Sequence, residues 1–237
     1  MTINSFIEEL KKINIILTDK QIDLFKKYAD FLIEYNKTTN LTAIRDIEGI
    51  YLKHFYDSCL VVNNDVVDFN NIDSLIDIGS GAGFPGVVIK ILYPNIKLTL
   101  LDSNNKKTTF LSKLVELLNL EDVEIVNDRA ENYVKNNRHK YDISIARAVS
   151  ELRIISELCI PLTKVGGYFI ALKGNYEEEF ESAKKTFEIL NSSVEKVIET
   201  ILPIEQSRRS LIFIKVNKTV DNKYPRSYEQ IIKKRLK

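Results

Sequence analysis

The chain has 237 residues, 44% hydrophobic and 28% charged, with a net charge of +1, which suits one large domain, or one domain with a small accessory element, of ordinary globular composition. Two cysteines, Cys59 and Cys159, with no C-x-x-C, argue against a disulfide framework or a metal site and for a reducing, cytoplasmic setting. The charged, amphipathic start MTINSFIEELKK is no signal peptide and no apolar run approaches the roughly 20 residues of a membrane span, so a soluble protein without a membrane partner is expected.

Residues 1–62 read as a helical N-terminal element. Phe6, Leu10, Ile13 and Leu17 recur at spacings of three and four and make one apolar stripe. Thr18 and Gln21 fit a capping box that opens a second helix, with Ile22, Phe25, Ala29, Leu32 and Ile33 as its buried face. A third helix is expected in "DIEGIYLKHFYDSCLVV", with Asp46 as N-cap. On it His54 and Asp57 stand three apart, and a helix-surface pair that orients the N-terminal element is favoured over one facing a cleft. The polar run "NNDVVDFNN" (63–71) reads as a connector.

From residue 72 the period changes. "SLIDI" (74–78), "KLTLLD" (97–102), "VEIVND" (123–128), "YDISIA" (141–146) and "GYFIALK" (167–173) are short, β-branched-rich runs. Amphipathic segments at 85–93, 104–119 and 150–163 separate them. The alternation predicts an α/β fold with a doubly wound, mostly parallel sheet. After a helix at 176–191, the runs 194–202 and 210–216 are expected to pair antiparallel, so the last strand runs against the rest. The domain boundaries drawn are 1–62, 63–217 for the sheet domain, and 218–237 for a basic tail. That tail, "KYPRSYEQIIKKRLK", carries Lys223, Arg226, Lys233, Lys234, Arg235 and Lys237 against one acid, Glu229.

Four of the eight glycines lie between Gly79 and Gly86. From Asp77 the loop spells D-x-G-x-G-x-G (Gly79, Gly81, Gly83), which suits S-adenosylmethionine. From Gly81 it spells G-x-G-x-x-G (Gly81, Gly83, Gly86), which suits a dinucleotide. The strand "SLIDI" ends at Ile78, so the first register needs no gap, whereas the second leaves two residues unexplained. Asp102, followed by Ser103, closes the second strand, where a carboxylate accepts from both ribose hydroxyls of either ligand. Asp128, Ala130 and Glu131 close the third, where methyltransferases grip the adenine edge. S-adenosylmethionine is therefore favoured, with NAD as the remote alternative, and Gly86 reads as a close-packing position in the next helix.

The acceptor is narrowed by what the loops lack. A cytosine carbon would need a cysteine nucleophile, and both cysteines fall on predicted helices as small core hydrophobes. An exocyclic amine would call for D/N-P-P-Y/F after the fourth strand, where this chain has "IARAVSEL". Guanine N7 bears a free lone pair and requires alignment and desolvation rather than a general base.

The segments "NLTAIRDIEGIYLKHFYDS" (40–58), "DIGSGAGFPGVVIKILYP" (77–94), "LTLLDSNNKKTTFLSKLVELLNLEDV" (98–123), "IARAVSEL", "ALKG" and "KYPRSYEQI" together resemble the RsmG (GidB) family. The resemblance runs nearly end to end, and G-F-P-G combined with "KHFYDS" and "RAVSEL" is specific. It implies a class I S-adenosylmethionine-dependent methyltransferase fold (Rossmann-like) behind a helical N-terminal element. The implied activity is transfer of a methyl group to N7 of a guanine in 16S rRNA, at position 527 in rRNA numbering. It places Gly79, Phe84, Ala130, Glu131 and Arg147 at the cofactor. Arg147 is not a choice the residues alone would make, because a lone arginine after a strand is more often solvated or ion-paired.

The implied partner is 16S rRNA, free or in a 30S subunit or assembly intermediate, met by a monomer. RNA contacts must surround the strand C-terminal ends. Arg147, Arg153 and Lys173 follow the fourth and fifth strands, Arg208 and Arg209 sit in the last hairpin, and Lys223 and Arg226 open the basic tail. Such a collection suits phosphate but has no fixed spacing. Two other readings share these residues: a methyltransferase with another acceptor, and a non-catalytic S-adenosylmethionine-binding ribosome-associated module.

Overall fold

The computed structural model describes residues 1–236; Lys237 of the basic tail lies outside them. Helix α1 (Ile3–Lys12) is capped by the Thr2 side chain and buries Phe6 and Leu10. Helix α2 (Asp19–Thr39) opens on the capping box expected at Thr18 and Gln21 and closes on Asn40 in the left-handed region. The third helical stretch begins where the Asp46 carboxylate accepts from the Gly49 amide at 2.7 Å. It runs as α3 (Ile47–Gly49), a π-helical turn (Ile50–Tyr56) and α4 (Asp57–Cys59). In the π-helical turn the i→i+5 bonding changes which side chains share a face. The 63–71 connector is pinned by Asn64, whose Oδ1 accepts from the Val66 and Val67 amides, and it buries Val67 and Phe69.

Strands and helices then alternate as β1 (Ser74–Ile78), α5 (Gly86–Leu92), β2 (Lys97–Leu101), α6 (Asn105–Leu117), β3 (Val123–Val126), α7 (Ala130–Tyr133), β4 (Tyr141–Arg147), α8 (Leu152–Cys159), β5 (Thr163–Lys173), α9 (Glu177–Ile189), β6 (Ser192–Ile201), β7 (Arg208–Val216) and α10 (Tyr228–Lys233). The seven strands are ordered β3-β2-β1-β4-β5-β7-β6. The first five are parallel, and β7 is antiparallel to both β5 and β6, as the sequence predicts for the closing pair. The order in which strands are added reverses between β1 and β4, and the carboxyl ends of strands flanking such a switch point open a crevice.

Each sheet face carries its own core. The N-terminal helices share one of these cores with α5 and α6. A chain of aromatic rings runs through it: Phe6 to Phe25 at 5.2 Å, Phe25 to Phe55 at 5.0 Å, and Tyr28 stacked on Phe84 at 5.2 Å. That last pair ties α2 to the glycine loop. Helices α8 and α9 cover the other face, together with Val220, Tyr224 and Ile231 of the C-terminal segment. Both cysteines are buried. Among the described residues, no helix is long and apolar enough to cross a membrane.

Candidate active site

The glycine loop begins directly after β1, as the D-x-G-x-G-x-G register requires. Gly79, Gly81 and Gly83 have φ of 72°, 59° and 96°, a left-handed region costly for any residue with a Cβ. At Gly83 a Cβ would also lie 2.6 Å from the Tyr28 hydroxyl and 2.8 Å from Val87. At Gly86 the constraint is space alone, because a Cβ would stand 2.8 Å from Asp77 Oδ2 and 2.9 Å from Leu100. Asp77 is fully buried beneath the loop. Its Oδ2 accepts from the Gly86 amide at 2.8 Å, and its Oδ1 has no protein partner. Burial pushes this carboxyl up to about 7, partly opposed by the Gly86 amide and by Arg147.

The loop and the ends of β2 and β3 surround a cavity of about 580 Å³. Nine of the residues expected at a cofactor line it: Gly79, Gly81, Phe84, Asp102, Ser103, Asp128, Ala130, Glu131 and Arg147. Gly83 sits behind that wall, against Tyr28. Asp102 Oδ2 accepts from the Gly81 amide at 3.0 Å and Oδ1 from the Asn104 amide at 2.9 Å. It so pins the loop to β2; Oδ2 also faces the Lys107 ammonium at 3.5 Å, and Oδ1 keeps a second lone pair for a diol hydroxyl. Asp128 caps the Arg129 amide at 2.7 Å. Ile78, Leu101, Ala130 and Leu158 supply apolar walls. A glycine cradle, an accepting carboxylate and an apolar slot of this size fit a nucleoside bearing an amino-acid chain.

One wall comes from the N-terminal element through Leu41, Thr42 and His54. The His54 ring stacks on Phe84 at 4.4 Å. Its Nδ1 is 3.0 Å from Arg147 Nη2, and its Nε2 is 2.9 Å from Thr42 Oγ1. A guanidinium only donates, so Nδ1 accepts and the ring is neutral with its hydrogen on Nε2. Burial, aided by the charge of Arg147, brings the imidazole down to about 3. Asp57 bridges two arginines, with Oδ2 at 3.0 Å from Arg147 and Oδ1 at 2.8 Å from Arg209. The surface pair favoured for His54 and Asp57 is thereby corrected: Asp57 is buried and both residues meet Arg147 at the cleft.

A second cavity, of about 600 Å³, shares His54, Arg147, Ala148 and Val149 with the first and reaches Lys173, Asn175 and Arg209. Ala148, at their junction, has φ 52°, a conformation an alanine adopts only under constraint. Of the cations expected at RNA, Arg147, Lys173 and Arg209 gather here. Lys173 is held by the Ser150 carbonyl at 2.5 Å and Glu179 at 2.6 Å. Arg153, Arg208, Lys223 and Arg226 line neither cavity. Arg208 pairs with Glu177 and Glu199, and Lys223 with Asp221. Arg153 donates to Glu151 and to the Ile231 carbonyl, and Arg226 forms three bonds to the buried Glu157, so both help to hold the C-terminal segment.

Thr42, His54, Lys107, Arg129 and Tyr228 line the first cavity although sequence reasoning assigned none of them to it. The segments 40–58, 98–123 and "KYPRSYEQI" that carry the resemblance contain Thr42, His54, Lys107 and Tyr228, and for His54 the reading that faces a cleft stood second.

The model of the family described as "GidB: rRNA small subunit methyltransferase G" matches residues 21–211. The chain is 45% identical over 229 residues to the ribosomal RNA small subunit methyltransferase G of Lysinibacillus sphaericus, covering 95% of each chain. It is 43% identical over 229 residues to that of Bacillus subtilis, again covering 95% of each. Among solved structures, a SAM-dependent O-methyltransferase from Thermotoga maritima superposes with a TM-score of 0.54 at 17% identity, over 80% of this chain and 73% of that one. A ribosomal protein L11 methylase from Lactobacillus delbrueckii subsp. bulgaricus gives 0.54 at 13%, over 70% and 79%. At such identities these two report the fold, a class I methyltransferase.

Proposed function

We infer the reaction from a plain premise: the chain belongs to the GidB family, the rRNA small subunit methyltransferases G. It is an S-adenosylmethionine-dependent methyltransferase acting on ribosomal RNA of the small subunit. Our reading extends this to N7 of one guanine of 16S rRNA, met by a monomer in the cytoplasm where ribosomes are built.

The bound cofactor supplies a methyl group on a cationic sulfur, open to in-line displacement. We assign the first cavity to it. The glycine loop brings backbone close to the ligand, Asp102 accepts from the ribose hydroxyls, and Ala130 and Glu131 border the base. The second cavity is assigned to the target nucleotide, with Lys173 and Arg209 offering positive charge to flanking phosphates. The observation that carries this is the junction: His54, Arg147, Ala148 and Val149 belong to both cavities, so donor and acceptor meet there.

No residue at the junction needs to take a proton from a ring nitrogen with a free lone pair. His54 suits that role of bystander, since Arg147 and Thr42 engage both its nitrogens. Its work is to hold Phe84 and Arg147 in place, and alignment with exclusion of water then carries the rate. The test is thermal. Excess S-adenosylmethionine raises the melting temperature by mass action and NAD does not; equal shifts, or none with S-adenosylmethionine, would refute the assignment of the first cavity.

A further inference from the structure

Residues 220–231 complete no strand, yet the protein grips them from several sides. Arg138 donates to the carbonyls of Val220 and Tyr224, and His139 Nε2 lies 3.2 Å from the Val220 amide. Arg226 meets Glu157 through its backbone amide and guanidinium at 2.7 to 2.9 Å, with the Glu157 side chain 1% exposed. Arg153 holds the Ile231 carbonyl at 2.8 Å. Ser227 and Gln230 form a capping box that starts α10, and Tyr224 and Ile231 are buried. A carboxylate taken out of water in this way is costly unless its geometry is well satisfied, so the position of the segment is strongly specified.

What that position delivers is Tyr228. Its ring lines the first cavity beside Asp128, Arg129 and Ala130, and the Arg129 guanidinium lies 5.9 Å from the ring centroid. This is the β3 end of the cavity, one strand beyond Asp102. If Asp102 takes the ribose, the flat base extends to where Ala130, Leu158 and Tyr228 offer apolar surface. We propose that the C-terminal segment is part of the cofactor site, with Tyr228 a binding residue that closes the adenine end and Arg226, Glu157 and Arg138 as positioning residues that hold it there. The inference rests on the assignment of the first cavity to S-adenosylmethionine.

The experiment is equilibrium binding of S-adenosylmethionine and of adenosine alone to the full chain, wild type, Tyr228→Ala and Tyr228→Phe. Loss of an aromatic wall against a base weakens both ligands about tenfold in Tyr228→Ala, and Tyr228→Phe restores most of the affinity. Arg226→Ala, which frees the segment without touching the cavity, weakens both ligands in the same direction. Melting of the ligand-free variants shows that they are folded; Tyr228 is half-exposed and its truncation leaves no buried void. Wild-type affinity in folded Tyr228→Ala overturns the proposal, as does unchanged cofactor affinity with weakened rRNA binding, which would turn the ring toward RNA. A wild type that binds neither ligand refutes the cofactor assignment itself, and the proposal with it.

Discussion

Asp57 and Arg147 lie 90 residues apart in sequence and 3.0 Å apart in space, and their ion pair joins the N-terminal helical element to the end of β4. Asp57 uses its other oxygen for Arg209 on β7, so one buried carboxylate fixes two strand ends against one helix. Replacing Asp57 by Asn leaves two guanidiniums facing a neutral amide. Breaking a buried pair by removing one partner costs about 3–5 kcal/mol, about 6–20 °C in melting temperature for a chain of this size. Calorimetry of the ligand-free variant checks this, and a loss below about 1 kcal/mol would mean that the bridge is solvated. Affinity for S-adenosylmethionine falls as well, because Arg147 also positions His54.

His54 and Asp77 act in opposite senses on stability between pH 4 and 6.5. His54 has its pKa lowered to about 3, so its contribution is present above the unfolded value near 6.5 and is lost as pH falls toward 3. Asp77 has its pKa raised to about 7 by burial, so its contribution is present below the unfolded value near 3.9 and is lost as pH rises through 7. The difference in stability between variant and wild type isolates each slope, at most about 1.4 kcal/mol per pH unit. Relative to wild type, His54→Gln gains stability on acidification from pH 6.5 to 4. Asp77→Asn gains on alkalinisation from pH 4 to 7. Denaturation at four pH values distinguishes them, and slopes of the same sign would contradict the reading.

The His54 tautomer is directly observable. Only two histidines occur, so a His139→Gln variant leaves one imidazole to assign. Nitrogen-15 NMR of that variant should show a neutral ring with hydrogen on Nε2 down to about pH 5. A ring that becomes cationic near 6.5 would mean that Arg147 does not donate to it.

Gly81 and Gly83 share a left-handed backbone but not a neighbourhood. At Gly81, among the described residues beyond its chain neighbours, the one heavy atom within 4 Å of a new Cβ is the Gly79 carbonyl oxygen, at 3.8 Å. Gly81→Ala therefore costs about 1–2 kcal/mol of backbone strain and mainly intrudes on the cofactor cavity. Gly83→Ala adds overpacking against Tyr28 and Val87, roughly another 1–3 kcal/mol. Melting of the two ligand-free variants should place Gly83→Ala well below Gly81→Ala; the reverse order would refute the packing account.

The lining of the first cavity was legible because its residues follow the ends of consecutive strands. A strand boundary at Ile78 fixed the glycine register, and Asp102 and Asp128 fell at the next two ends. The second cavity was legible only in part: Lys173 and Arg209 stood among the cations expected at RNA, whereas Asp57, which pairs with Arg147 and Arg209 there, shares no spacing with them. His54 and Asp57 misled because the residue that covers their shared face is distant in sequence: both meet Arg147, 93 and 90 residues away, and Asp57 is buried between two arginines. The basic residues misled for another reason. Charge is visible in sequence but its partner is not: Arg226 looked free until Glu157, 69 residues earlier, was seen beneath it. The resemblance supplied Arg147, and the structure shows what holds it at the cavity: it lies over Phe84 at 5.1 Å and meets Asp57 and His54.

The reaction proposed for the junction of the two cavities joins the methyl donor to a guanine ring nitrogen. Incubation of the protein with methyl-labelled S-adenosylmethionine and unmodified 16S rRNA or 30S particles, followed by mapping of the modified base, tests it most directly. The expected result is label on N7 of a single guanine, and its loss in Arg147→Ala. Label on another atom or base, or no transfer to either substrate by a protein that binds S-adenosylmethionine, would contradict it.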